Sequence, residues 1–176
     1  MSLFQKEAPE IQSKITEIIQ KLRLYGHWML DGLSSSELIW SPENTDAQTI
    51  IHYFQHIINA EVFWLNHLGD TTFKCESESK ELQDLLQKYN HLEKHLITKI
   101  SDASEVELAT RLPIYDNDLL VKQGSLGWVV LRTSLHAIHH FGQISHIRHS
   151  LNNPPNIEAR KFTWEEAMDV IAQTML

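Results

Sequence analysis

Residues 129–151 read VVLRTSLHAIHHFGQISHIRHSL, and their apolar side chains recur at the spacing of an α-helix. One stripe of this predicted helix contains Val129, Thr133, Gln143, Ile144, Ile147 and Leu151. His136 and His140 lie on the same stripe, because residues four positions apart are rotated by only about 40° around a helix. The pattern predicts a long helix that turns two histidines toward the interior of a helical protein.

Three other segments show the same periodicity. The four predicted helices cover about residues 8–33, 46–67, 78–100 and 125–151. Thr45 or Asp46 is the expected N-cap of the second of them. Four long helices with one apolar stripe each can bury those stripes against one another, so we expect an all-α four-helix bundle with more than half of its residues helical. The predicted core contains Leu22, Leu30, Phe54, Phe63, Leu85, Tyr89, Val129 and Ile147.

Two smaller elements accompany the bundle. Residues 108–124 alternate between apolar and polar side chains, which indicates a short β-hairpin or an extended loop before the fourth helix. At the end of the chain, TWEEAMDVIAQTML predicts a short helix with Thr163 as N-cap and Glu166 at the capping-box position. The length suits one domain, so we expect a single domain over residues 1–176.

The composition argues against several classes of protein. A net charge of −8 disfavours nucleic acid as a partner, since phosphate contacts need clustered Lys and Arg. No window has the ~20 continuous apolar residues of a membrane span, and residues 1–14 do not resemble a signal peptide. The only cysteine, Cys75, forms no internal disulfide and has no evident histidine partner for nucleophilic catalysis. We expect a cytoplasmic protein without a membrane partner.

Histidine is abundant, at 11 residues, and the helical phase suggests a third ligand beside His136 and His140. His56 shares the apolar stripe of the second predicted helix and is expected to be buried. His52, one turn earlier and slightly off that stripe, is the alternative. His67 lies on the same face but about 16 Å further along the axis, which is too far for one site.

The remaining histidines are expected to have other roles. His91, His95, His146 and His149 point outward by phase, which indicates a solvated surface. His139 lies about 60° from His136 around the helix, so it is expected near the site but not as a ligand. A histidine pair at this spacing also arises by chance, and a lone inward histidine is more often a hydrogen-bonded core residue. The hypothesis of a metal site therefore depends on all three inward histidines together.

Two stretches resemble the DinB-like metalloenzyme superfamily. Residues 136–144, HAIHHFGQI, resemble its HxxHHxGQ signature. Residues 33–65 resemble its first loop and second helix, and end in a pattern of the form H-hydrophobic-x-x-A-E-x-x-W. The resemblance implies a four-helix bundle, frequently a homodimer, whose three metal ligands are His56, His136 and His140.

The signature is retained at some positions and changed at one. Gly142 and Gln143 are present, and Arg148 stands where an arginine is common in the family. Phe141 replaces the basic residue that usually precedes the glycine, which puts an anionic contact at that point in doubt. Gln143, His52 and His139 are expected beside the metal, where they would support the ligands or face a substrate.

The resemblance also implies a chemistry. Three histidines leave a coordination position open, as in catalytic zinc sites, and an all-imidazole site favours zinc or nickel, with iron or manganese as alternatives. Characterised members of the family include bacillithiol and mycothiol transferases and a thiol-dependent isomerase. Transfer of a low-molecular-weight thiol to a small-molecule substrate is therefore the expected function.

Two alternatives stay open. A metal-dependent hydrolase would need a general base, and Glu61 lies about 140° from His56 around its helix, so no base is obvious. The third reading is a metal-binding or structural dimer without catalysis.

Overall fold

The computed structural model describes residues 8–43, 46–74, 81–116, 119–160, 165–166 and 169. Its α-helices are α1 (Ala8–Leu30), α2 (Ser35–Leu38), α3 (Ile50–His67), α4 (Leu82–Asp102), α5 (Glu105–Ala109) and α6 (Leu126–Ser150). More than half of the residues are helical and four of the helices are long, which confirms the predicted all-α helical bundle. None of the described helices is both long and apolar enough to cross a membrane.

The helix boundaries follow from their capping residues. Ser125 caps α6, as its side chain accepts a hydrogen bond from the backbone N–H of Trp128. The predicted N-caps of the second long helix, Thr45 and Asp46, are wrong, because α3 begins later and Thr49 accepts from the N–H of His52. The short helices α2 and α5 were not predicted, although each begins with a capping box, Ser34 with Glu37 in α2.

The four long helices bury one shared core. Helix α3 packs against α6 and α4, and α1 packs against α4 and α6. Every predicted core residue is buried except Phe63, which is half-buried. The prediction for Phe63 is wrong because its ring lies at the outer edge of α3, where it contacts His67 at a centroid distance of 4.0 Å.

The segment before α6 is a β-hairpin. Strands β1 (Leu112–Asp116) and β2 (Leu119–Gly124) pair antiparallel, so the segment is the hairpin and not the extended loop of the two predicted forms.

The predicted C-terminal helix is described in part. Glu165, Glu166 and Asp169 are helical, whereas its predicted N-cap, Thr163, lies outside the described residues. Cys75 also lies outside them.

A buried ion pair joins three helices inside the bundle. The Arg23 guanidinium on α1 donates to the Glu61 carboxylate on α3, and both side chains are buried. The same guanidinium lies 3.8 Å from the centroid of the Tyr89 ring on α4. Burial raises the pKa of Tyr89 to about 12. A buried charge is tolerated only when it is paired, so Arg23 and Glu61 depend on each other.

A second polar cluster ties the end of α3 to α4. Asp70 is buried, and its Oδ2 accepts hydrogen bonds from His95 Nε2 at 2.6 Å and from Lys99 Nζ at 3.1 Å. The prediction of a solvated His95 is therefore wrong, because a loop residue beyond α3 reaches it. Burial opposes ionisation of Asp70, but hydrogen bonds from His95, Thr72 and Lys99 hold its pKa well below the usual range.

Replacing Asp70 should lower the free energy of unfolding and change how that free energy depends on pH. Asp70→Asn leaves His95 and Lys99 without their charged acceptor, which should cost about 1–3 kcal/mol at pH 7. A carboxyl group with a depressed folded-state pKa stabilises the fold above its unfolded pKa, near 3.9, and loses that contribution as the pH falls further. The free energy of unfolding, measured with urea between pH 7 and pH 2.5, should therefore fall less steeply below about pH 4 for Asp70→Asn than for wild type.

Asp102→Asn is the matched control, since Asp102 is exposed at the end of α4. The free energy of unfolding of Asp102→Asn should depend on pH as that of wild type does. An Asp70→Asn protein with wild-type stability and pH dependence would contradict the role given to this cluster.

Candidate metal centre

The packing of α3 against α6 brings three imidazoles together. His56 extends from α3, and His136 and His140 extend from adjacent turns of α6. His136 Nε2 lies 3.2 Å from His56 Nε2 and 3.0 Å from His140 Nε2. One nitrogen from each of the three rings lies within 4.8 Å of the other two. We refer to His56, His136 and His140 as the histidine triad.

The spacing of the triad fits a shared cation. If His136 Nε2 carries a proton, it can donate to His56 Nε2 or to His140 Nε2 but not to both. The other nitrogen then has no hydrogen bond from His136. Zinc–nitrogen bonds of about 2.0–2.1 Å place ligand nitrogens about 2.9 Å apart at a right angle and about 3.3 Å apart at a tetrahedral angle. The two measured separations lie between these values, so a divalent ion could accept all three lone pairs.

The surroundings keep the triad neutral at pH 7. Burial, followed by the charges of His140, His56 and Arg132, lowers the pKa of His136 to about 4. Burial is also the main cause of a lowered pKa at both His56 and His140. An imidazole must be neutral to donate its lone pair to a metal, so these shifts favour metal binding over protonation.

Gln143 selects the ring nitrogen that His140 offers. His140 Nδ1–H donates to Gln143 Oε1, one turn further along α6. The proton is then on Nδ1, and the lone pair of Nε2 points into the triad. Tyr53, which the sequence did not single out, supports the ring from the other side, stacked at a centroid distance of 5.5 Å.

The other two predicted neighbours of the site do not belong to the triad. His52 is exposed one turn before His56, and its charge contributes to the lowered pKa of His56. His139 is also exposed, with its ring centroid 5.0 Å from that of His140. His146 lies on the surface as predicted.

The triad lies at an open edge of the bundle. The prediction that His56 is buried is wrong: it is exposed, whereas His136 and His140 are half-buried. The apolar stripe of α3 gave the direction of His56 correctly, but the side chain lies at the rim where α3 meets α6. Tyr53 and Gln143, which contact His140, line a cavity of about 540 Å³ together with Asp46, His139 and His146, whereas the triad itself is not part of the lining. The exposure of His56 leaves the triad open to solvent.

Two signature positions have structural roles instead. Phe141 is fully buried and faces α1, where a Cβ atom on Gly26 would lie 2.8 Å from its ring. Arg148 is buried and donates to the carbonyl oxygens of Met29, Asp31 and Asn153, and so ties the end of α6 to the end of α1. Neither side chain faces the triad.

Removing any member of the triad should destroy tight metal binding. His56→Ala, His136→Ala and His140→Ala should each weaken Zn²⁺ by more than about 100-fold, a larger loss than the 10–100-fold typical of changes outside the ligand set. Competition with a chromophoric chelator measures the affinity. His146→Ala should bind as wild type does. If His52→Ala abolished binding and His56→Ala did not, the ligand from α3 would be wrongly assigned.

Gln143 should affect metal affinity through His140. Gln143→Leu removes the acceptor of the Nδ1–H bond and should weaken Zn²⁺ binding by about 10–100-fold. Gln143→Glu restores an acceptor and should recover the affinity. Gln123→Leu, at an exposed position of β2, is the control. Equal affinities of Gln143→Leu and wild type would show that the hydrogen bond does not orient the ligand.

Comparison with known proteins agrees with the geometry. No curated protein matches the chain. The sequence profile of the DinB superfamily matches residues 23–144, which include the whole triad and Gln143. This match covers more than half of the sequence. The chain belongs to the DinB superfamily.

Proposed function

We propose that the protein holds a divalent metal ion with His56, His136 and His140 and transfers a low-molecular-weight thiol to a small electrophile. The observation that supports this most strongly is the convergence of three neutral imidazoles at an open edge of the bundle. A structural site is normally closed by four protein ligands, whereas three ligands beside an open cavity leave room for a reactant.

The protein's residues divide the remaining tasks. A bound divalent ion would supply positive charge that favours the thiolate form of a thiol at neutral pH. The cavity lined by Tyr53, His139, Gln143 and His146 would hold the body of the thiol or of the electrophile. The sulfur electron pair forms the new S–C bond, the leaving group departs with its own electron pair, and the thiol proton passes to solvent at the exposed side of His56.

Thiol transfer needs less help from a carboxylate than hydrolysis does. Hydrolysis requires a general base to activate water. Among the described residues the cluster of potential metal ligands contains histidines only, and Asp46, which lines the adjoining cavity, is not part of that cluster. Glu61, the acidic residue nearest to His56 in the α3 sequence, is buried against Arg23 and serves the fold. A thiol ionises far more readily than water, so its transfer depends less on a base.

Thiol transfer can be tested with protein purified without a histidine tag. Metal analysis comes first, followed by reconstitution with Zn²⁺, Ni²⁺, Mn²⁺ or Fe²⁺ and incubation with a panel of small thiols and chloro-dinitrobenzene. Metal-loaded protein should accelerate conjugation by at least about 100-fold, a low threshold compared with the rate enhancements usual for enzymes. Loss of thiol and the mass of the product are both measured.

The controls separate the alternatives. His140→Ala and metal-free protein should be inactive. Ester hydrolysis without thiol consumption would favour a hydrolase, and a metal-loaded protein inert toward thiols, electrophiles and esters would favour a binding or structural protein.

A further inference from the structure

An arginine one helical turn from the triad lies over the rings of two tryptophans that contact each other. The Arg132 Cζ atom is 4.5 Å from the ring centroid of Trp64 and 5.6 Å from that of Trp128. The two indole rings meet edge to face at a centroid distance of 5.4 Å. Trp64 belongs to α3, and Arg132 and Trp128 belong to α6, so this arginine–tryptophan cluster spans the same helix pair as the triad.

The cluster is close enough to the triad to share one ligand. Arg132 precedes His136 by one helical turn, an axial rise of about 6 Å. Trp64 lies eight residues beyond His56 along α3, about 12 Å further along the axis and about 80° around the helix. The charge of Arg132 also contributes to the lowered pKa of His136, after burial, His140 and His56. A molecule with a few carbon atoms between its ends could contact Arg132 with one end and the histidine triad with the other.

Among the residues that the structure describes, no carboxylate neutralises the charge of Arg132. Its side chain is exposed, and in the part of the chain that the structure describes no carboxylate lies within 4 Å of it. The other two arginines near the core have protein acceptors, Glu61 for Arg23 and backbone carbonyls for Arg148. Within the described ranges, Arg132 is thus a cation without a carboxylate partner beside the triad, in a protein of net charge −8.

The tryptophans restrain the guanidinium and leave it able to donate. Cation–π contact holds the guanidinium against the rings. The five N–H donors lie at the edge of the guanidinium plane, which matches the two oxygens of a carboxylate. Restraint by the rings reduces the side-chain entropy lost on binding, which is a large cost for a free arginine.

We propose that Arg132, held by Trp64 and Trp128, binds the carboxylate of a short-chain thiol whose sulfur reaches the histidine triad. This inference rests on the proposed function and adds a substrate class to it: acidic thiols are selected over neutral and cationic ones.

The test compares three small thiols on cobalt-loaded protein. Co²⁺ gives separate absorption bands for metal binding and for thiolate binding. The probes are 3-mercaptopropionate, 2-mercaptoethanol and 2-mercaptoethylamine, which differ mainly in the charge of the end group. Wild type should bind 3-mercaptopropionate about 10- to 100-fold more tightly than 2-mercaptoethanol, as expected for a hydrogen bond to a charged group. The cationic thiol should bind most weakly.

Variants assign this preference to Arg132. Arg132→Gln should remove the preference for 3-mercaptopropionate and leave the cobalt bands of the thiol-free protein unchanged. Arg132→Lys should keep part of it, because a lysine retains the charge but not the bidentate geometry. Lys94→Gln removes one positive charge at an exposed position of α4 and should keep the full preference. Helical circular dichroism checks that each variant is folded.

The outcomes distinguish this inference from the proposed function. Equal binding of the three thiols by wild type, or an unchanged preference in Arg132→Gln, would overturn the carboxylate site even if thiol transfer occurs, and the cluster would then only pack α3 against α6. A preference that disappears in Arg132→Gln supports the carboxylate site even if no electrophile is consumed, in which case only the transfer activity is refuted.

Discussion

The contact between α3 and α6 determines the position of every group in the candidate centre. The two helices pack against each other, and both carry buried apolar residues, among them Ile57 and Ile58 on α3 and Ala137 and Ile144 on α6. The histidines lie where these faces meet solvent, because a helix that buries one face must leave the residues beside it at the rim. Partial burial lowers the pKa of all three imidazoles, while exposure of His56 keeps the site accessible. One packing arrangement therefore supplies both neutral ligands and an open side.

The rest of the bundle supports the contact between α3 and α6, and several of its polar side chains are bound within the protein and do not face the triad. Glu61 and Arg23 neutralise each other under the ring of Tyr89, and Arg148 joins the ends of two helices. Phe141 packs tightly against α1 at Gly26, so this position of the signature is part of the core. The polar groups left near the triad are the imidazoles of its neighbours, the amide of Gln143 and the guanidinium of Arg132, and Asp46 lines the adjoining cavity.

Local geometry explains which features could be predicted from the sequence. Residues four positions apart on one helix must share a face, so the pairing of His136 with His140 and the four long helices follow from periodicity. The same periodicity selected His56 on a different helix, since its stripe is otherwise apolar. Periodicity gives the direction of a side chain but not its depth, so His56 and Phe63 were expected to be buried and instead lie at the edge of α3. The N-cap of α3 was misplaced because the segment TDAQT offers several capping side chains.

Contacts between distant segments could not be read in this way. His95 is held by Asp70 from a loop, and Arg132 lies over a tryptophan of another helix, so neither contact follows from the phase of one helix.

The assignment of His56, His136 and His140 as metal ligands can be tested by X-ray absorption at the zinc edge of the tag-free, zinc-loaded protein. Zinc held by the histidine triad should show three imidazole nitrogens at about 2.0–2.1 Å and one further ligand that is a light atom. A spectrum with fewer than three imidazoles, or with a cysteine sulfur near 2.3 Å, would contradict it.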